Sequence, residues 1–136
     1  MPIHDRIAAV PELPYWPGFA QVVTVSGKLA FPTTQAPLDS DDNLVGPGDF
    51  EAQAKQVLGN LQRILRSLGA AWPDVVRLNW YVVAGSDLQA LRAVRDELIR
   101  PALGNRPSPP GTLVQVAGLA RPEFLIEVEA VAAVPD

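Results

Sequence analysis

Cysteine is absent from this 136-residue chain, and histidine occurs once, as His4. Without cysteine there is no disulfide framework, no thiolate nucleophile and no sulfur-based metal site. A Ser-His-Asp arrangement would have to use His4, which lies next to the N-terminus, where a well-positioned acid–base group is not expected. These absences exclude several common catalytic chemistries and agree with a cytoplasmic location.

Basic residues and long apolar runs are also scarce. The chain has 11 Lys and Arg against 15 Asp and Glu, a net charge of -4, whereas nucleic-acid binders usually present a basic face. No apolar run approaches the roughly 18–20 residues of a membrane-spanning helix, and no basic region followed by an apolar block suggests a signal peptide. We therefore expect no nucleic-acid partner and no membrane association.

The chain does have enough apolar residues for one folded domain. Hydrophobic residues make up 48% and charged residues 19% of the sequence, which predicts a single domain over residues 1–136. The 14 prolines concentrate at residues 11–17, 32–47 and 101–110, which we interpret as loops between compact elements.

Two helices are predicted from hydrophobic spacing and capping residues. The first begins after Asp49, a favourable N-cap, and ends before Gly69. Apolar residues recur between these positions at helical spacing, so one face should be buried. The second covers residues 87–99 and begins with a capping box of Ser86 and Gln89.

Strand patterns flank these helices. Residues 19–25 and 28–31 are predicted to form a hairpin through Ser26-Gly27. Further strands are predicted over residues 75–83, 112–117 and 125–134. The resulting order, β-β-α-β-α-β-β, predicts an α+β fold with a mixed sheet and both helices on one face.

The other face of this sheet is expected to be covered by another copy of the chain. It should carry Arg77, Asn79, Tyr81, Gln115, Glu127 and Glu129. The last strand mixes its glutamates with a run of alanine and valine, which is unusual for a strand exposed to water. A mixed sheet face of this kind, which ends in alanine and valine, favours a homo-oligomer.

Several motifs together resemble the RidA family, also called the YjgF/YER057c/UK-type or reactive-intermediate deaminase family. They are Gly48-Asp49-x-Glu51-Ala52-Gln53-x-x-Gln56-Val57-Leu58-x-Asn60-Leu61, Leu68-Gly69-Ala70, Asp74-Val75-Val76-Arg77, Val114-x-Val116-x-x-Leu119 and Ile126-Glu127-Val128-Glu129-Ala130-Val131-Ala132. The resemblance implies a chorismate-mutase-like fold and a homotrimer with a central barrel and ligand pockets at its subunit clefts. It also implies a hydrolase without metal or organic cofactor, because active members deaminate enamines and imines such as 2-aminoacrylate.

The chain departs from the family pattern at residues that the resemblance assigns to substrate binding. The arginine that holds the substrate carboxylate in active members aligns with Gly111, which cannot form a bidentate ion pair. Thr34 replaces a glycine that gives the ligand room, and Phe19 lies where a tyrosine is expected. Thr112, next to Gly111, offers a hydroxyl. We therefore expect a subgroup lacking this arginine, with weak or absent turnover of 2-aminoacrylate.

Two charged residues have alternative interpretations. Glu127 matches the family glutamate that positions the attacking water. The alternative is that Glu127 is an interface residue hydrogen-bonded to a neighbouring subunit. Arg95, at a position that is often asparagine in the family, either supplies the missing positive charge or pairs on the surface with Asp96 or Glu97.

The first functional hypothesis is hydrolysis of an imine or enamine that is less acidic or more aromatic than 2-aminoacrylate. Its catalytic residue is Glu127, and its substrate-binding residues are Phe19, Thr34, Arg95, Gly111 and Thr112. The alternative is a protein of the same fold that binds a small metabolite without chemistry. RNA cleavage, attributed to relatives, is disfavoured by the acidic composition.

Overall fold

A four-stranded mixed sheet covered by helices on one face forms the centre of the computed structural model, which describes residues 2–136. The elements are β1 (Ile3–Ile7), β2 (Val22–Val25), β3 (Leu29–Ala30), α1 (Phe50–Ser67), a 3-10 turn (Trp72–Asp74), β4 (Val75–Val83), α2 (Leu88–Leu98), α3 (Arg100–Leu103), β5 (Leu113–Val116) and β6 (Ile126–Ala133). The strand order is β3-β6-β4-β5, in which β4 and β5 are parallel and the other pairs antiparallel. The predicted mixed α+β arrangement is confirmed.

The hairpin predicted through Ser26-Gly27 does not form. β2 pairs with β1, which the sequence pattern does not predict, and β3 pairs with β6 in the other sheet. β1 gives little signal because its polar residues are mostly exposed and break the alternation of a half-buried strand. Gly27, with a φ of 89°, provides the turn at which the chain passes from one sheet to the other.

α1 has the predicted bounds, and its caps explain why. The Asp49 carboxylate accepts a hydrogen bond from the Ala52 N–H at 3.0 Å, which satisfies a donor that has no partner within the helix. Gly69 follows the helix with a φ of 70°, a conformation that glycine adopts without strain. The side chains that α1 buries are Gln53, Ala54, Val57, Leu58, Leu61 and Leu65.

α2 begins one residue later than its predicted capping box. Its N-cap is Asp87, whose carboxylate accepts from the N–H groups of Gln89 and Ala90 at 3.0 and 3.1 Å. The Ser86 hydroxyl instead donates to the Val83 carbonyl, so the predicted pairing with Gln89 is wrong. Asp87 competes successfully because a carboxylate accepts two N–H groups more strongly than a hydroxyl does.

The two faces of the sheet differ as expected along β6, but one residue of β4 and one of β5 do not lie on the face that alternation predicts. Ile126, Val128, Ala130 and Ala132 are buried under the helices, and Glu127 and Glu129 point to the opposite, open face. A β-bulge between Val75 and Arg77 places Val75 in the core, whereas strict alternation with Leu78 along β4 predicts Val76 there. Gln115 pairs with the buried Val82, so it lies on the helix side and not on the predicted polar face.

Candidate ligand-binding site

A cavity of about 350 Å³ opens at the edge of the sheet, where residues 16–21, the C-terminal end of α2 and residues 108–113 meet. This volume is at the lower end of the range for small-molecule pockets. Its apolar wall comes from Trp16, Phe19 and Trp80, and its polar groups include Arg77, Arg95 and Thr112.

Backbone pairing explains why a segment near the N-terminus reaches this cavity. The Ala20 N–H donates to the Ser108 carbonyl at 2.9 Å, and the Ser108 N–H donates to the Gly18 carbonyl at 2.6 Å. These bonds fix Phe19 between them, beside the proline-rich segment that precedes β5. Trp16 lines the same cavity, and Tyr15 is largely exposed.

Most of the predicted substrate-binding residues meet at this cavity. Phe19, Arg95, Gly111 and Thr112 line it, but Thr34 and Glu127 do not. Thr34 lies instead in a second concavity, beside a loop held by the side chains of α1. Its hydroxyl donates to Glu129 Oε2 at 3.4 Å.

Arg95 both pairs with a neighbouring carboxylate and lines the cavity. It forms an ion pair with Asp96, with 3.1 Å between Nη2 and Oδ1, whereas Glu97 pairs with Lys55. At the same time its guanidinium lies 5.3 Å from the centroid of the Phe19 ring, within cation–π distance. Asp96 and the Phe19 ring therefore both hold the Arg95 side chain in the position in which it lines the cavity.

Gly111 lies too close to β4 to carry a side chain. An ideal Cβ on this residue would lie 1.7 Å from the Leu78 carbonyl oxygen. The approach is imposed by the flanking backbone bonds: the Leu78 N–H donates to the Pro110 carbonyl at 3.1 Å, and the Trp80 N–H donates to the Thr112 carbonyl at 2.8 Å. Glycine at this position is thus required by the packing of the backbone against Leu78.

Arg77 is a cavity residue that sequence reasoning did not assign to the site. Its Nη2 donates to Thr112 Oγ1 at 3.1 Å, and the Thr112 N–H donates to Asn79 Oδ1 at 3.0 Å. The alternation along β4 correctly places Arg77 on the open face of the sheet. It does not indicate that the side chain reaches the start of β5, because that depends on strand pairing.

Hydrogen-bond donors converge on Glu129 rather than on Glu127. Glu129 Oε1 accepts from the Tyr81 hydroxyl and, at 3.1 Å, from Asn79 Nδ2. The bond from Tyr81, followed by that from Asn79, holds the pKa of Glu129 below its ordinary value. The same bond raises the pKa of Tyr81. Glu129 is therefore a stably ionised, structurally held carboxylate.

Glu127 has a different environment on the same face. Burial raises its pKa above the ordinary value, as expected for a carboxyl group that is partly removed from water. Glu127 pairs with Tyr81 across the β4–β6 ladder, four residues along β4 from Arg77. At about 3.3 Å per residue this separates Glu127 from the cavity residue Arg77 by about 13 Å along the strand.

The described residues offer no metal site and no membrane helix. Among residues 2–136, no group of three or more His, Asp or Glu side chains could hold a metal ion. In the same part of the chain, none of the helices combines the length and apolarity needed to cross a bilayer.

Comparison with known proteins agrees with this fold. Residues 11–134 match the family model described as Endoribonuclease L-PSP. A RutC family protein of Synechocystis sp., slr0709, is 32% identical over 134 residues, which cover 98% of this chain and 95% of that protein.

Solved structures show the same relationship. YyfB of Yersinia pestis, a protein of unknown function in the conserved Rid family, is 36% identical, with a TM-score of 0.76 over 97% of this chain and 98% of that one. RidA from an Antarctic Psychrobacter is 26% identical, with a TM-score of 0.68 over 97% of this chain and 98% of that one. With its chorismate-mutase-like α+β fold, the chain belongs to the RidA/YjgF family, whose model carries the description Endoribonuclease L-PSP.

Proposed function

We propose that this protein hydrolyses an imine or enamine with a larger, more aromatic body than 2-aminoacrylate. The observation that carries the proposal is the cavity in which Phe19, Gly111 and Thr112 meet, since the family resemblance assigns these positions to substrate binding. Trp16 and Trp80 extend the aromatic wall, which suits a planar substrate through stacking and apolar contact. The chain then belongs to a subgroup that lacks the carboxylate-binding arginine at position 111.

The chemistry assigned to Glu127 is activation of water. A water molecule adds to the carbon of the C=N bond, Glu127 accepts a proton from that water, and the nitrogen is protonated and leaves as ammonia. The carbonyl product retains the oxygen of the water. A carboxyl group whose pKa is raised by burial is a better base than an ordinary glutamate, because its proton affinity is closer to that of the groups with which it exchanges protons.

A homotrimer is part of the proposal because one chain keeps Glu127 and the cavity apart. The open sheet face and its edge expose large apolar side chains, including Leu29, Phe31 and Val114, and Phe31 is 73% exposed. Exposed apolar residues of this kind mark surfaces that another copy can cover. In such an assembly, Glu127 of one copy completes the cavity of its neighbour. Light scattering should give about three times 14.6 kDa; a monomer would contradict the assembly.

The central test compares Glu127 variants in an imine-hydrolysis assay. An amino-acid oxidase acting on aromatic amino acids supplies 2-imino acids, and trapping with semicarbazide reports the imine that remains. The wild-type protein should accelerate ammonia release, and Glu127→Gln should reduce this acceleration by roughly 100-fold, because general-base catalysis is worth that much or more. Glu97→Gln, an exposed change on α2, is the matched control.

Each alternative predicts a different result. Full activity of Glu127→Gln would remove this residue from the mechanism. If a broad panel of imines shows no acceleration, the protein is better explained as a metabolite-binding member of the fold. Cleavage of RNA by the purified protein would support the activity named in the family description instead. The proposal includes a cytoplasmic location, with which a cysteine-free sequence agrees.

A further inference from the structure

We propose that the cavity binds an anionic substrate and that Arg77, assisted by Arg95, holds its carboxylate in place of the arginine missing at position 111. This inference rests on the proposed function for the identity of the ligand as an aromatic 2-imino acid or its keto-acid product. It replaces the less acidic substrate that the sequence suggests with an acidic one. The positive charge that binds the carboxylate then comes from β4 and α2 instead of from position 111, and the substrate still carries a carboxylate.

The charge of the cavity supports an anion. Arg77 and Arg95 are charged residues of its lining, and no aspartate or glutamate lines it. The chain as a whole carries a net charge of -4, so a cavity with only positive lining charges is opposite in sign to the rest of the protein. Positive charge at the wall of a concave site attracts anionic ligands and concentrates them locally.

Arg77 has the donors that a carboxylate requires. The ion pairs among residues 2–136 use Lys55, Arg95 and Arg121, and none of them uses Arg77. One of its N–H groups donates to Thr112 Oγ1, which leaves most of the guanidinium fork unused. Because Oγ1 accepts from Arg77, the Thr112 hydroxyl hydrogen can be directed to a second acceptor, such as the oxygen of a bound carboxylate.

Arg77 makes the smallest of the contributions that hold the pKa of Glu129 below its ordinary value, so Glu129 neutralises Arg77 only in part. The two residues lie on the same sheet face, but the Glu129 carboxylate forms no ion pair with Arg77 and is held by the Tyr81 hydroxyl and the amide of Asn79. Because neutral donors already occupy the carboxylate of Glu129, Arg77 is better placed than Arg95, which pairs with Asp96, to bind a ligand.

Arg95 has a supporting role. Its Nε and Nη2 both donate to Asp96 Oδ1, at 3.2 and 3.1 Å, which partly neutralises its charge. Its position over Phe19 places the guanidinium above the aromatic wall. The part of the lining that Arg95 shares with Phe19 and Trp80 would then receive the apolar body of an anion whose carboxylate is held by Arg77.

The test measures binding of two probes that differ in charge. Phenylpyruvate, an aromatic 2-keto acid, and phenylacetone, which has a methyl group in place of the carboxylate, are titrated calorimetrically into the wild-type protein. Phenylpyruvate should bind more tightly, and added salt should weaken its binding selectively. Arg77→Ala should weaken phenylpyruvate roughly tenfold, as for loss of hydrogen bonds to a charged group, and should leave phenylacetone unchanged.

Further variants make the result specific to Arg77. Arg77→Lys keeps the charge without the planar fork and should retain part of the affinity. Arg95→Ala should have a smaller effect, and Arg92→Ala, an exposed change on the same helix outside the cavity, should have none. Circular dichroism checks the fold of each variant.

The inference is overturned if the wild-type protein binds neither probe or binds both with the same affinity. It is also overturned if the folded Arg77→Ala variant binds phenylpyruvate as tightly as the wild-type protein does. Its failure is distinct from that of the proposed function, because the titration does not depend on Glu127. Selective binding of phenylpyruvate without imine hydrolysis would support the anion site and contradict the enzyme. Hydrolysis of aromatic 2-imino acids by the folded Arg77→Ala variant at the wild-type rate would support the enzyme and contradict the anion site.

Discussion

Replacing Gly111 by alanine is expected to destabilise the protein strongly, even though the residue lies at an exposed loop. The added Cβ would lie 1.7 Å from the Leu78 carbonyl oxygen, a separation that requires the two backbone segments to move apart. Their separation would break the bonds from Leu78 to Pro110 and from Trp80 to Thr112. We expect a loss of about 3 kcal/mol, the upper range for overpacking, and a decrease in Tm on the order of 10 °C.

The control for this prediction is another glycine of the same region. An ideal Cβ on Gly118 has no heavy atom within 4 Å, and Gly118→Ala should unfold at nearly the wild-type temperature. Calorimetry or chemical denaturation would provide the comparison. Equal stability of the Gly111 and Gly118 variants would show that the start of β5 is not held against β4 as described.

The same contact predicts the outcome of introducing the arginine that the family resemblance implies at position 111. Gly111→Arg has the Cβ collision of alanine together with a long side chain, so it should be at least as unstable. It should not gain turnover of 2-aminoacrylate, because the arginine can enter only after the backbone of residues 110–112 has moved. A stable Gly111→Arg variant with 2-aminoacrylate deaminase activity would contradict this conclusion.

Gln53→Leu is the second substitution that we expect to lower the free energy of unfolding strongly. Gln53 is fully buried in α1, and its Nε2 donates to the Gly46 and Glu123 carbonyls at 3.0 and 3.1 Å. Its Oε1 accepts from the Leu125 N–H at 2.8 Å. Leucine has a similar size but leaves these backbone groups without their partner, and unsatisfied buried groups cost about 3 kcal/mol or more in total.

This prediction can be checked by urea denaturation with a matched variant. Gln62→Leu changes the same residue type on the same helix at a partly exposed position and should change the midpoint little. Hydrogen exchange should also show faster exchange of the Leu125 amide in Gln53→Leu, because its acceptor is gone. If Gln53→Leu is as stable as Gln62→Leu, the bridge between α1 and the start of β6 is not a major contribution to stability. The bridge also fixes the start of β6, which carries Glu127 two residues after Leu125.

Local features of the fold were predictable because their causes lie within a few residues along the chain. The Asp49 cap, the apolar stripe of α1 and Gly69 are all contacts of neighbours in sequence, and they set the helix bounds correctly. β4 was predicted with the bounds that it has, Val75–Val83, because β-branched and aromatic residues dominate it.

The composition of the site was predictable only in part. Phe19, Arg95, Gly111 and Thr112 do line one cavity, as their positions in the family pattern imply. Thr34 contacts Glu129 instead, and Glu127 remains about 13 Å from Arg77 along the strand, given about 3.3 Å per residue. Arg77 was missed as a cavity residue because its reach to Thr112 spans the parallel β4–β5 pairing.

The sequence by itself determined the family, the two long helices, the faces of β6 and the absence of cysteine chemistry. The tertiary structure alone decided that β2 and β3 belong to different sheets, that Arg77 reaches the cavity, and that no side chain fits at Gly111. The physical reason is the same in each case. Strand partners and close backbone approaches depend on residues far apart in the chain, and neither periodicity nor capping carries information about them.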